Sequence, residues 1–234
     1  MPERKEKIFS LVFFVIYLIS QYGFGQKINQ FNEAHQRTGI WKKYYPNKKI
    51  RYSGTFKNGK EVGIFKFYNN SSFKYPIVIK SYSETSDTIS VQFFSVKGVL
   101  ESNGTLVGKK REGKWNYFFS DGSILSEENY KENKLEGVLK NYYPNGTITE
   151  ITIYKNGLKE GVSKKYSSKG VLIEEITFEK NKPNGMAKYF ELNGNLKEAG
   201  IYKNGNRVGK WQFYMDGKPT NKNEERTYFK NKEE

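Results

Sequence analysis

The sequence predicts an all-β chain: an elongated, single-layer twisted sheet of stacked β-hairpins, preceded by an N-terminal signal helix. Three observations predict it. Units open at a fixed period. Gly39, Gly63, Gly113, Gly137, Gly161, Gly185 and Gly209 stand 24 residues apart, except for a step of 50 from Gly63 to Gly113 that hides a unit opening at Ile89. Repeats of this length mark stacked architectures. Within each unit, apolar residues recur at even spacing. Counting the opening residue as zero, offset five is aromatic (Tyr44, Tyr68, Phe94, Phe118, Tyr142, Tyr166, Phe190, Tyr214). Offset eleven is a branched aliphatic in Ile50, Leu100, Ile124, Ile148, Leu172 and Leu196, and offset seventeen is Phe56, Leu106, Tyr130, Tyr154, Phe178 or Tyr202. Even steps share one face of a strand, whereas a helix needs steps of three and four. Turn chemistry separates the columns, as in Pro144-Asn145-Gly146, Ser120-Asp121-Gly122 and Leu192-Asn193-Gly194.

Taken in chain order, residues 1–25 read as a secretory signal peptide. Arg4, Lys5 and Lys7 precede the largely apolar run Ile8–Ile19, and small residues follow at Gly23 and Gly25. Cleavage is expected near Gly25-Gln26, which places the mature chain outside the cytoplasm, periplasmic or secreted. The run is short for a membrane-spanning helix, which needs about 20 apolar residues. Residues 26–38 carry no repeat columns and are expected to cap the first edge.

The repeat body is expected over 39–218, in units opening near 39, 63, 89, 113, 137, 161, 185 and 209. In each unit a three-residue loop ending in Gly suits a type I turn closed by a left-handed residue. That loop sets offset five opposite offset eleven, so Tyr142 faces Ile148. Eight such hairpins make sixteen strands. A second turn, Lys57-Asn58-Gly59, Lys155-Asn156-Gly157 or Lys203-Asn204-Gly205, leads to the next opening Gly by a connection expected to be longer. The three columns are expected to form the core. Offset three (Lys42, Lys66, Gln92, Asn116, Lys140, Lys164, Lys188, Gln212) is polar and reads as solvated. Offset two mixes Trp41, Phe65, Trp115, Leu139 and Trp211 with Ser163 and Ala187, and its face stays open. Residues 219–234 are a divergent end of the last unit, in which Phe229 echoes Phe56, with a polar tail.

The opening Gly113-Lys114-Trp115-Asn116-Tyr117-Phe118 and the closing Tyr154-Lys155-Asn156-Gly157 resemble the MORN repeat family, and more closely its bacterial variant. The resemblance covers 39 to about 218 and is weakest over about 69–112, where the opening Gly is replaced by Ile89 and the turn Gly by Lys109. It implies stacked hairpins and roles in binding or scaffolding, including attachment to membranes or proteins. It also implies, as an alternative, an antitoxin or immunity-type role that neutralises a partner toxin. It carries over no catalytic residue.

Composition excludes several chemistries. With no Cys and one His, His35, the chain has no thiol nucleophile, no disulfide and no paired His for zinc. The stretches Gly108–Lys114 and Gly205–Lys210 mimic a phosphate loop, but Trp115 and Trp211 stand where its Ser or Thr belongs. No enzyme, cofactor or metal is expected. The net charge of +15 favours acidic partners. A protein partner is expected first, with anionic lipid or acidic polysaccharide behind it, and nucleic acid is disfavoured for an exported chain. Candidate partner-binding residues are Trp41, Trp115 and Trp211, because Trp anchors interfaces, and Lys42, Lys66, Lys140, Lys164 and Lys188, which would form a positive stripe if they align.

Overall fold

The structure, a computed structural model, describes residues 27–71 and 74–220. The expected signal segment 1–25 and the tail holding Phe229 lie outside the described residues. Among those described there is no helix. Fifteen strands of six to ten residues, from Arg37–Tyr44 to Asn206–Met215, and four two-residue strands make one open antiparallel sheet. Each long strand pairs with the next in sequence, as in Gly113↔Tyr130 and Gly137↔Tyr154. At about 4.8 Å per strand the rungs span roughly 70 Å along the sheet. The weakly matching region continues the ladder without a break, through Gly63↔Tyr82, Tyr82↔Ile89 and Thr105↔Glu112.

The first turn forms as its residues require. Tyr142 pairs with Ile148, and the loop between them closes with Tyr143 N donating to Thr147 O at 2.8 Å and Gly146 N to Tyr143 O at 2.9 Å. Gly146 has φ +82°, and Lys48 takes that left-handed position at φ +64° in the Gly-less copy.

The second connection is tighter than expected. Asn58 and Gly59 both have positive φ (49° and 79°) and join Lys57 directly to Lys60. This is a two-residue type I′ turn, whose twist matches the strands it joins. The extra length appears instead as a bulge at the opening Gly. Thr55 pairs with Val62 but Ser53 with Lys66, so three residues on one strand oppose Gly54 on the other. Gly63, inside that bulge, has φ +66°. The same bulge lies at the opening Gly113, Gly185 and Gly209. Where the sequence has Ile89 instead, pairing runs from Val78↔Phe93 to Tyr82↔Ile89 with no shift.

Burial corrects the expected core. The most buried column is offset two: Phe65 and Val91 are 0% exposed, Trp115 is 3% exposed, and Leu139, Ser163 and Ala187 are also buried. Offset seventeen joins it through buried Phe56 and Tyr130. Offset five does not. Tyr44 is 49% exposed, its column-mates are half-buried, and Tyr142 donates to Glu127 Oε2 at 2.7 Å on the other side of the sheet. The six-residue spacing therefore divides its side chains between two faces. The bulge adds one residue, Thr149 at offset twelve, opposite the step from Asn141 to Tyr142, and so shifts the alternation between offsets eleven and seventeen.

Burial without a covering layer needs contact along the sheet, and glycine provides it. A Cβ on Gly54 would fall inside the ring of Phe65, one on Gly104 inside Trp115, and one on Gly200 inside Trp211. Each of these three rings of offset two thus lies flat on the bare backbone of the preceding strand. Where the offset-two residue is small, the opposing residue is large. Ala187 pairs with Ile176, and Ser163 meets Thr152, with their hydroxyls 2.7 Å apart. The two positions share one volume between them, as close packing demands.

Candidate functional site

On the ring-bearing face, three arginines stand over the three tryptophans. Arg37, Arg111 and Arg207 each precede Trp41, Trp115 and Trp211 by four residues, across the bulge glycine. The Arg207 guanidinium carbon lies 3.9 Å from the Trp211 ring centroid, and its two terminal nitrogens donate to Glu198 at 2.7 and 3.1 Å. That fork to Glu198, with Tyr202 beside it, raises the Arg207 pKa further and keeps the group charged. Arg111 lies 3.8 Å from the Tyr130 centroid and donates to the Tyr130 hydroxyl at 2.6 Å and the Tyr117 hydroxyl at 3.1 Å. Tyr130 in turn donates to Glu128. Burial first, and the Glu128 carboxylate second, raise the Tyr130 pKa. These contacts tie rings to rungs, with each polar tip satisfied at the edge of an apolar body. The motif Arg-x-Gly-x-Trp, present three times, was the sequence signal for them.

The three tryptophans are placed differently. Trp115 is buried, and its indole N–H donates to Thr105 O at 3.1 Å. It packs edge-on against Tyr130 at 6.3 Å between centroids. This Trp offers a partner almost no surface. Trp41 and Trp211 are half-buried. Trp41 is held at the first edge by Phe31, edge-on at 5.0 Å, and donates to Thr38 O and Gln30 O. The Trp211 N–H is buried with no acceptor among the described residues. Ile28 to Phe31 lies along this first edge, with Asn29 N donating to Ile40 O and its side chain accepting from Lys42 N, both at 2.8 Å.

The five lysines do align. Successive Cα pairs run Lys42, Ser53, Lys66, Ile79, Gln92, Asn103, Asn116, Glu127, Lys140, Ile151, Lys164, Glu175, Lys188 in one row across the sheet. The row is not uniformly positive. Glu175 sits between Lys164 at 3.3 Å and Lys188 at 3.6 Å. Glu127 is ion-paired to Lys114 and accepts from Tyr142.

Those hydrogen bonds from Lys114 and Tyr142 lower the Glu127 pKa, and burial with the Glu127 contact pushes Tyr142 up to about 12. Glu150, on the ring-bearing face, is opposed by burial. The hydrogen bond from Thr152 and the charges of Lys159 and Lys165 outweigh that opposition and lower its pKa. Both carboxylates therefore favour the folded state above the ordinary glutamate range, and that contribution is lost as pH falls through their lowered values. Thermal unfolding followed by circular dichroism is expected to hold its midpoint from pH 7 to about 5 and to fall below about pH 4.3. Glu127→Gln and Glu150→Gln are expected to lower the midpoint at pH 7 and to flatten the acid limb. An acid limb unchanged in both variants would contradict this.

The same face as the lysine row carries apolar residues that stay exposed. Val138, Ile153, Val162, Met186 and Ile201 are each 39–46% exposed, and each alternates along its strand with a buried neighbour of the ring-bearing face. In the first two units the same positions are Ile40 and Ile64, paired with Thr55 and Ser81; in the next two they are Ser90, Thr105, Lys114 and Asn129, and Lys210 follows the band. Sequence reading passed over these columns; their signal was a change of character at unit 137.

Five segments of the chain, 37–58, 111–132, 135–156, 159–180 and 183–204, match the MORN repeat variant. The unmatched stretch between the first two contains the bulge-free step at Ile89. No curated protein matches the chain. Five segments that match the MORN repeat variant thus stand in register on one continuous ladder of hairpins.

Proposed function

We propose that the chain is an exported, non-enzymatic binding or scaffold module of the bacterial cell envelope. The observation that carries this reading is the open sheet. Hairpins joined edge to edge leave two broad faces, and one of them displays lysines and unpaired apolar side chains. MORN repeats often mediate binding or membrane association. The basic, apolar opening of the sequence supports export, and the absence of Cys and of a second His supports a role without covalent or metal chemistry. Cell fractionation of a C-terminally tagged chain is the test. The tagged protein is expected in the envelope or medium, with a mass that starts at Gln26. A cytoplasmic chain retaining Met1 would sink the envelope reading.

A tether to anionic membrane is the second reading, favoured by the five aligned lysines. Vesicle binding that rises with anionic lipid and falls with salt is its signature, since exposed charge contacts are screened. An antitoxin role would use the same surfaces. Loss of viability on deleting the gene beside an intact toxin gene would be its mark.

A further inference from the structure

We infer that the exposed band from Val138 to Ile201 is a seat for an amphipathic helix of a partner protein, with acidic residues along one border of that helix. This rests on the binding-module reading and adds the place and the chemistry. The band is defined by register. Val138 pairs directly with Ile153, Val162 with Thr177, and Met186 with Ile201. The six residues occupy six neighbouring strands, so the band runs across the sheet for about 24 Å. That is the length of roughly 16 residues of helix at 1.5 Å each. Only about one side chain per strand contributes, giving a width near the ~10 Å diameter of a helix.

Charge selects the border. Beside the band, the parallel row presents Lys140, Lys164 and Lys188 against one carboxylate, Glu175, already shared by two of them. Every second strand thus offers a lysine about 10 Å from the next, close to two helical turns. Acidic residues repeating at about seven positions along a helix would meet all three. Area argues against a second copy as occupant. A stable pair needs about 800 Å² from each partner, more than a band of this length and width supplies. Face-to-face stacking would also desolvate the lysine row against itself, which is costly without partners.

Localisation to three units separates this patch from the repeat's own needs. If packing demanded apolar residues at these positions, every unit would have them, whereas Ile40 and Ile64 in the first two units pair with polar Thr55 and Ser81 and form no continuous band. In the two units next to the band the same columns carry Ser90, Thr105, Lys114 and Asn129, and Lys210 closes the far end.

The test uses the full mature chain and two synthetic helices of about 16 residues, held helical by a hydrocarbon staple. Both carry a leucine stripe; one is bordered by Glu and the other by Lys. Fluorescence anisotropy is expected to show saturable binding of the Glu-bordered helix and at least tenfold weaker binding of the Lys-bordered one. The gap is expected to narrow in 0.5 M salt. Val162→Glu and Met186→Glu are expected to weaken binding at least tenfold, while Thr55→Glu, on the same face outside the band, leaves it unchanged. Circular dichroism confirms that the variants fold. No saturable binding, equal binding of both helices, or insensitivity to Val162→Glu would overturn the inference. So would a dimer in sedimentation, or vesicle binding, that Val162→Glu abolishes, because either would give the band another occupant. The envelope reading fails on fractionation and this one on the titration, so the two failures are separate.

Discussion

Gly104→Ile is expected to destabilise the protein by at least about 1–3 kcal/mol, the usual cost of overpacking a closed site. Any Cβ there falls inside the Trp115 ring, and Trp115 has little room to retreat. Its ring is stacked 6.2 Å from Phe93 and edge-on to Tyr130, and its N–H is tied to Thr105 O. Trp115→Ala alone is expected to cost about 3–5 kcal/mol through the cavity it leaves. The informative variant combines the two. Gly104→Ile with Trp115→Ala rebuilds the arrangement that Ile176 and Ala187 already adopt three units later. It is expected to lose about 2 kcal/mol less than the two single changes added together, the coupling typical of residues in contact. Urea unfolding followed by hydrogen exchange in the strands Leu100–Val107 and Lys110–Phe118 would measure it. Strict additivity would show that the shared volume is not what holds the pair.

Gly113→Val is expected to cost about 1–3 kcal/mol, and for a different reason. Nothing lies within 4 Å of a Cβ built on Gly113, so no clash is involved. Its φ of +66° is the whole penalty, because a β-branched residue is strained in the left-handed region. Substitutions at Gly113 should therefore rank Val worst, then Ala, then Asn, which tolerates that region best. A ranking by side-chain volume would point to crowding and contradict the bulge account. Ile89 marks the alternative solution, since the strand it opens pairs with the preceding one without an opening bulge.

Much of this architecture was legible from residue types. The 24-residue period, the Gly-closed loop and the pairing of Tyr142 with Ile148 follow from turn chemistry, which acts within a few residues and leaves its mark in sequence. The face assignment was not legible by counting alone. A bulge consumes an odd residue, and after it the alternation of faces starts again, so the extra residue at offset twelve put the columns before and after it on opposite faces. The true spine was hidden by its variety. A column holding Trp115, Ala187 and Ser163 looks unspecified until each is read with the residue on the strand before it. The arginines over the tryptophans were visible as Arg-x-Gly-x-Trp, but their geometry needed the bulge that brings position four back over the ring. The exposed band was missed because scattered Val, Ile and Met in strands resemble core until register places them on the outer side.

The interlock between a ring and the preceding strand's glycine bears on how such an array can grow. Copying residues 113–136 in tandem would set Glu128 beneath a second indole, where its neighbour Leu139 now sits. Excising the same stretch would leave Gly104 beneath a leucine, with a hollow in place of the indole. Lineages of this chain can therefore lengthen or shorten only where the incoming and outgoing partners happen to match in size, and the natural cassette is cut between rungs that agree, not at the glycine that opens each one.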